Sequence, residues 1–187
     1  MTENTRIEPL FTPEQIQARI RELAKAIITL RPEAREAEGL LMVGPLKGAV
    51  VFMSDLARAL SELGIRVDLS FMKLSSYGAG TESSGTVVLG HDIDMEVAGR
   101  HVLLVDDIID TGRTIAFAQD YLTARSPQSV TTVLLLDKPS RRVVDAPYDL
   151  AGFVIEDLFV LGFGTDLNQR YRELPFIGVR ISDEGSS

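Results

Sequence analysis

The segment Val102-Leu-Leu-Val-Asp-Asp-Ile-Ile-Asp-Thr-Gly-Arg-Thr-Ile115 gathers the residue types of a phosphate and sugar site. Its four leading apolar residues spell a buried strand, and Asp106 and Asp107 follow where that strand is expected to end. Asp110-Thr-Gly-Arg-Thr114 then turns into a helix. Free amides at a helix N-terminus favour an anion, Gly112 lets backbone come close to a ligand, and Thr111 and Thr114 add hydroxyl donors. Three carboxylates beside a phosphate would repel it unless they hold hydroxyls, a metal or a proton. Asp106 and Asp107 are therefore read as acceptors for a sugar diol, and Asp110 as a group able to take a proton. The chain lacks GxxxxGK[ST], so this is not a Walker A loop. Alone, Asp-Asp is more often a turn pair and Asp-Thr-Gly a helix cap; the fourteen-residue pattern as a whole argues for a site.

The surrounding elements must place this segment at the end of a sheet. Thr12, Pro13 and Gln15 spell a capping box with proline at the first helical position, and Ile16, Ile20, Leu23, Ile27 and Leu30 continue with helical spacing. Leu40-Leu-Met-Val43 predicts a buried strand, Pro45-Leu-Lys-Gly48 a turn, and residues 49–63 a helix closed by Gly64. Residues 65–74 alternate as a strand. Residues 75–85 hold three Gly and four Ser, which predicts a long loop. Strands are expected at 86–89, 101–105 and 130–136, with a helix at 113–124 between the last two. Shorter β runs at 150–155, 158–161 and 177–181 lie too close together for crossover helices, so an added edge or a small hood is expected. Alternating strands and helices predict an α/β fold: a mostly parallel, twisted sheet flanked by helices, with a small hood. The length of 187 residues predicts a single domain, 1–187, with the hood drawn from N-terminal residues and about 140–187, and a frayed tail at 182–187.

Composition narrows the function. Hydrophobic residues make up 45% and charged residues 25%, a globular balance that excludes a disordered or collagen-like chain. There is no Cys, so disulfides and a thiol nucleophile are excluded; two histidines, His91 and His101, exclude a three-His metal site. Nineteen basic against 27 acidic residues give a net charge of −8, without the electrostatic footprint of a nucleic-acid or anionic-membrane binder. The polar N-terminal stretch and the absence of long apolar runs predict neither a signal peptide nor a membrane span, and a cytoplasmic address is expected.

The fourteen-residue segment resembles the phosphoribosyl-diphosphate motif of the type I phosphoribosyltransferases. Over about residues 7–179 the chain resembles, more narrowly, the bacterial hypoxanthine (hypoxanthine–guanine) phosphoribosyltransferases. Matches in order are Gly44-Pro-Leu-Lys-Gly48, Ser75-Ser-Tyr-Gly78, Ser83-Ser-Gly85, Leu136-Asp-Lys-Pro139, Phe159-Val-Leu-Gly-Phe-Gly-Thr-Asp166 and Tyr171-Arg-Glu-Leu-Pro175. The resemblance implies Mg²⁺-dependent transfer of the phosphoribosyl group of 5-phosphoribosyl diphosphate to a 6-oxopurine base, in a dimer or tetramer. It implies that Lys47 and Gly48 belong to a pyrophosphate loop with an unusual peptide conformation, and that Arg172 contacts pyrophosphate. Ser76 and Tyr77 match a flexible loop, which makes 75–85 the expected lid over an oxocarbenium-like centre. Asp106 and Asp107 match the acidic pair at the ribose hydroxyls and, with Asp166, the metal-binding carboxylates. Asp110 matches the residue near N7 of the purine that acts as general acid or base. Thr111, Gly112, Arg113 and Thr114 match the 5′-phosphate loop. In the base site, Lys138 matches the donor to the 6-oxo group, Phe159 the stacking aromatic and Val160 the backbone contact, beside Asp166.

The sequence departs from the family pattern in four places. Asp106 stands for the usual Glu, Ile155-Glu-Asp157 for Ile-Pro-Asp, Gly162-Phe-Gly164 for Gly-Tyr-Gly, and Thr165 for an aliphatic residue. Two other readings share the fold. One is a nucleotide-responsive RNA-binding regulator, which would need a basic face that this chain lacks beyond Arg141-Arg142. The other is an enzyme for another base such as xanthine or a pyrimidine, against which Lys138-Pro139 and the Phe159-Val160 spacing favour a 6-oxopurine.

Overall fold

Thr12 caps the first helix as its spacing predicts. In the computed structural model, which describes residues 6–35, 38–76 and 86–181, Thr12 Oγ1 accepts from Gln15 N at 3.3 Å, and Gln15 Oε1 accepts from Thr12 N at 2.9 Å. Helix α1 (Pro13–Leu30) buries Ile16, Ile20, Leu23, Ala24 and Ile27 on one face. It follows strand β1 (Arg6–Phe11), and the chain continues through β2 (Leu40–Leu46), α2 (Ala49–Glu62), β3 (Val67–Ser76), β4 (Val87–His91) and β5 (His101–Ile109). Then come α3 (Arg113–Thr123), β6 (Ser129–Asp137), β7 (Leu150–Val154), β8 (Val160–Leu161) and β9 (Ile177–Ile181). Among the described residues, no helix is long and apolar enough to cross a membrane.

Six strands form one sheet in the order β4-β3-β2-β5-β6-β7, parallel throughout except where β4 pairs antiparallel with β3. Alternate residues of the buried strands face opposite sides. Leu40 and Met42 join the core under α1 and α2, while Leu41 and Val43 join the core under α3. Both faces are covered, which is why β2 reads as a continuous apolar run rather than an alternating one. The second sheet, β1-β9-β8, is antiparallel and small, and its Val160 and Ile177 pack into the first core.

One feature of the ladder makes the site. Strand β2 pairs with β5 only from Leu40↔His101 to Val43↔Leu104. Beyond that point β2 stays with β3 as far as Leu46↔Lys73, and β5 stays with β6 as far as Ile109↔Asp137. The two central strands therefore part at their carboxyl ends. The chain winds from β2 towards β3 on one side and resumes at β5 on the other, the topological switch point at which open α/β sheets bind ligands.

Several boundaries differ from the sequence expectation. Strand β5 does not stop before the acidic pair but carries Asp106 and Asp107 within it, because β6 continues to satisfy its backbone as far as Asp137. Ser75 and Ser76, expected in a loop, end β3 and pair with Val88 and Val87 of β4. The rest of that predicted lid, 77–85, lies outside the described residues, as does the tail at 182–187. Of the late β runs, 150–155 supplies the added edge of the main sheet as β7, whereas β8 and β9 form the hood. Strand β1 was not anticipated: its burial pattern is irregular, and only pairing with β9 makes it a strand.

Thr12→Ala removes one half of the capping box and should cost about 1 kcal/mol. In a chain of this size that lowers Tm by about 2–4 °C, to be read by thermal unfolding, and Thr12→Ser should restore most of the loss.

Candidate active site

Where β2 and β5 part, a cavity of about 440 Å³ opens. Gly48, Asp106, Asp107, Asp110, Thr111, Gly112, Thr114, Asp166 and Arg172 line it. Two helices begin at or beside it without side-chain caps: α2 after Gly48 and α3 after Gly112. The first amides of an uncapped helix have no partner within it and carry its positive dipole end, so both helices favour an anion here. Gly112 adopts φ +87°, a left-handed conformation that L side chains rarely take. Gly48 is needed for a different reason, since a Cβ on it would overlap the Asp107 carboxylate. The peptide bond between Leu46 and Lys47 is cis, the unusual peptide conformation implied for this turn.

A second cavity, of about 460 Å³, lies against the hood and is lined by Lys138, Arg141, Asp157, Phe159, Val160 and Thr165. Asp107, Ile108, Asp110 and Asp166 line both cavities and form their common wall. Lys138 is 8% exposed and lies 3.6 Å from Asp157 by Nζ–Oδ1. Phe159 is 52% exposed although it is an aromatic residue flanked by a buried strand. It is not a core residue; its ring is left free for another flat partner.

Burial pushes the Asp106 carboxyl well above the ordinary carboxylate range, and the charge of Asp107 adds to the effect. Burial also raises Asp107, partly offset by hydrogen bonds with the Asp106 side chain and the Ile108 backbone and then by the charge of Arg172. Asp107 N donates to Asp106 Oδ1 at 3.0 Å. Arg172 pairs with Asp166 at 2.6 Å and donates to Gly164 O at 2.6 Å, while its buried Nε has no hydrogen-bond partner among the described residues. The carboxylate pair calls for a cation and the free guanidinium nitrogen for an acceptor.

The sequence-predicted residues separate clearly. Nine of them line the first cavity, and Lys138, Phe159 and Val160 line the second. Lys47 and Arg113 line neither: Lys47 Nζ donates to Gln169 Oε1 at 3.1 Å, and Arg113 opens α3. Ser76 ends β3, and Tyr77 lies outside the described residues. Sequence reasoning missed Arg141, which lies 3.2 Å from Asp110 and 3.7 Å from Asp157, and it missed Gln169, which accepts from both Lys47 and Arg172. Arg141 was visible only as half of a basic dipeptide. Nothing marked Gln169, which adopts a left-handed backbone at φ +66°.

The model of the phosphoribosyl transferase domain matches residues 11–169. The hypoxanthine phosphoribosyltransferase of Haemophilus influenzae is 41% identical over 178 residues, covering 95% of this chain and 97% of that protein. The chain belongs to the hypoxanthine phosphoribosyltransferase family. The Salmonella typhimurium member is 42% identical, covering 95% of this chain and 98% of its own length. Among solved structures of the family, the Trypanosoma cruzi hypoxanthine phosphoribosyl transferase superposes with a TM-score of 0.88 at 36% identity, covering 97% of this chain and 94% of its own. A Bacillus anthracis hypoxanthine-guanine phosphoribosyltransferase gives 0.84 at 38% identity, covering 95% and 100%.

The acidic pair at the end of β5 leads to a prediction about stability. The Asp106 carboxyl titrates higher folded than unfolded, so the folded state holds more protons between those two values. Stability therefore falls as pH rises from the ordinary carboxylate range, about 3.9, through the raised folded-state value. Asp106→Asn removes a charge that burial disfavours. The free variant should melt above the parent at pH 7.5, by about 2–4 °C per kcal/mol relieved, and the gap should shrink at pH 4. Calorimetry at the two pH values checks this; a variant that melts below the parent at pH 7.5 would contradict the electrostatic reading.

Proposed function

We propose that the chain transfers the 5-phosphoribosyl group from 5-phosphoribosyl diphosphate to N9 of hypoxanthine or guanine, giving the nucleoside 5′-monophosphate and pyrophosphate in purine salvage. One observation carries the reading: two cavities share the wall Asp107–Ile108–Asp110–Asp166, one furnished for phosphates and one for a flat base. In this reading the sugar diphosphate occupies the first cavity, with its 5′-phosphate on the Thr111–Thr114 loop, its diol on Asp106 and Asp107 and its diphosphate towards Gly48 and Arg172. The base occupies the second, with O6 towards Lys138 and one face on Phe159. The sugar C1 and the base N9 then meet at the common wall.

The residues present fit a divalent cation. Asp106 and Asp107 form a desolvated carboxylate pair, and Asp166 lines both cavities. Among the described residues no group of three carboxylate, His or Cys side chains forms a cage. Mg²⁺ suits this pattern, since it commonly takes one or two carboxylates and completes its shell with substrate phosphates and water. When bound, such an ion supplies neutralisation of the charge that develops on the departing diphosphate.

The chain's own residues do the rest. Gly48 and the start of α2 offer amides to the diphosphate as its bond to C1 breaks, and Arg172 supplies charge-assisted donors. The loop after β5 fixes the ribose so that C1 faces N9, which converts a bimolecular encounter into a positioned one. As N9 bonds to C1, Asp110 takes the proton from N7, and Arg141 beside it compensates the carboxylate in the starting state. We place the enzyme in the cytoplasm as a dimer or tetramer, which light scattering on the eluted protein would resolve.

Initial rates with hypoxanthine, guanine, xanthine and uracil test the reading, with the two 6-oxopurines expected to lead. Turnover of uracil alone would sink it. Asp110→Asn should lower kcat roughly 100-fold or more, the scale of acid–base catalysis, and leave affinity for the sugar diphosphate much less changed. Lys138→Ala removes a charge-assisted hydrogen bond worth about 1.5–3 kcal/mol. It should raise KM for the base and reduce discrimination against adenine, as competition between hypoxanthine and adenine would show.

A further inference from the structure

Asp137 ends β6 one residue before Lys138 and is 5% exposed. A buried carboxylate requires partners, and each oxygen has one. Arg142 Nη2 donates to Oδ1, and Tyr148 Oη donates to Oδ2 at 2.6 Å. Neither partner belongs to a strand or helix. The two bonds tie segment 139–148 to the end of the sheet at two points.

The middle of that segment runs across the phosphate loop. Val143 N and Val144 N both donate to Thr111 O at 3.0 Å. Gly112 lies directly beneath: a Cβ there would stand 2.5 Å from Val144 O and 2.9 Å from Arg142 Cδ. The left-handed turn that opens α3 is thus backed by this segment. In a trans peptide the carbonyl and the following N–H point in opposite directions. Holding the Thr111 carbonyl from one side therefore sets the Gly112 N–H on the other, where Thr111 and Gly112 line the first cavity. None of Asp137, Arg142 and Tyr148 lines either cavity of the site, so their effect on it passes through the loop.

We propose that Asp137, Arg142 and Tyr148 are positioning residues for the 5′-phosphate, pressing segment 139–148 against Thr111 and Gly112 and so fixing the amides that receive the anion. The inference rests on the phosphoribosyl-transfer reading above. It separates the two phosphate-binding ends of the first cavity, because the segment touches the loop before α3 and not the turn before α2.

Ribose 5-phosphate and pyrophosphate, each used as an inhibitor competing with the sugar diphosphate, probe the two ends apart. Tyr148→Phe keeps the ring and removes one hydrogen bond to Asp137; Arg142→Gln removes the charge. In both variants the inhibition constant of ribose 5-phosphate should rise, roughly 10-fold for loss of one bond to a charged group, while that of pyrophosphate stays near the parent value. Tyr148→Phe should also raise KM for the sugar diphosphate with kcat little altered, the mark of lost uniform binding. If the ratio of the two constants stays at the parent value in either variant, including through a parallel rise of both, the inference is overturned. A parent that transfers no phosphoribosyl group overturns the activity and this inference with it, whereas an active parent with an unchanged ratio in its variants overturns the inference alone.

Discussion

The parting of β2 from β5 is the constraint on which the site depends. Parallel strands normally satisfy each other's backbone along their length, and a gap inside a sheet leaves polar groups to be paired elsewhere. Here the two central strands separate after Val43↔Leu104, yet each retains its outer neighbour, so the gap opens without orphaning the outer ladders. The α2 and α3 starts, the acidic pair of β5 and the glycine at position 48 all converge on this gap. The hood closes it from above through Asp166 and Arg172, and it does so with a small antiparallel sheet anchored in the larger core by Val160 and Ile177.

The electrostatics follow from that geometry. Asp106 is buried and Asp107 half-buried beside it, and both carboxyls are pushed towards the protonated form. Such a pair is a poor structural element and a good receptor for a cation accompanied by hydroxyls. Around it stand the complementary devices: two helix starts without side-chain caps, and a guanidinium whose Nε is unpaired among the described residues. Anion-binding and cation-binding groups thus share one cavity, as suits a ligand that carries phosphates and a metal together.

Much of this was legible in the residues. The capping box at Thr12, the αL glycine at position 64, the uninterrupted apolar run of β2 and the Asp-Thr-Gly turn each have a local physical cause, and each falls where its spacing indicates. The acidic pair was identified, but its position inside the strand was not, because the end of β5 is decided by its neighbour β6 rather than by its own sequence. Arg141 and Gln169 escaped notice for a related reason: an exposed charge or amide gains meaning only when a distant segment folds against it. Phe159 shows the converse. Its type alone suggests a core residue, and only its neighbours in the motif point to an open ring face.

Strand β1 pairs with β9 in register from Arg6↔Ile181, although the whole main sheet lies between them in sequence. This has a bearing on the order in which the molecule can be assembled during synthesis, when early segments are exposed first. Strands β2, β3, β5 and β6 can complete their mutual pairing, and with it the placing of Asp106 and Asp107, once β6 has left the ribosome. Strand β1 must wait, its partner being among the last described residues to appear, and Val160 pairs with that same late partner. A nascent chain stalled after β6 would thus carry the acidic pair of β5 with neither the segment that backs Gly112 nor the strands beside the second cavity, so the two cavities are completed only as the residues after β6 fold back onto the sheet.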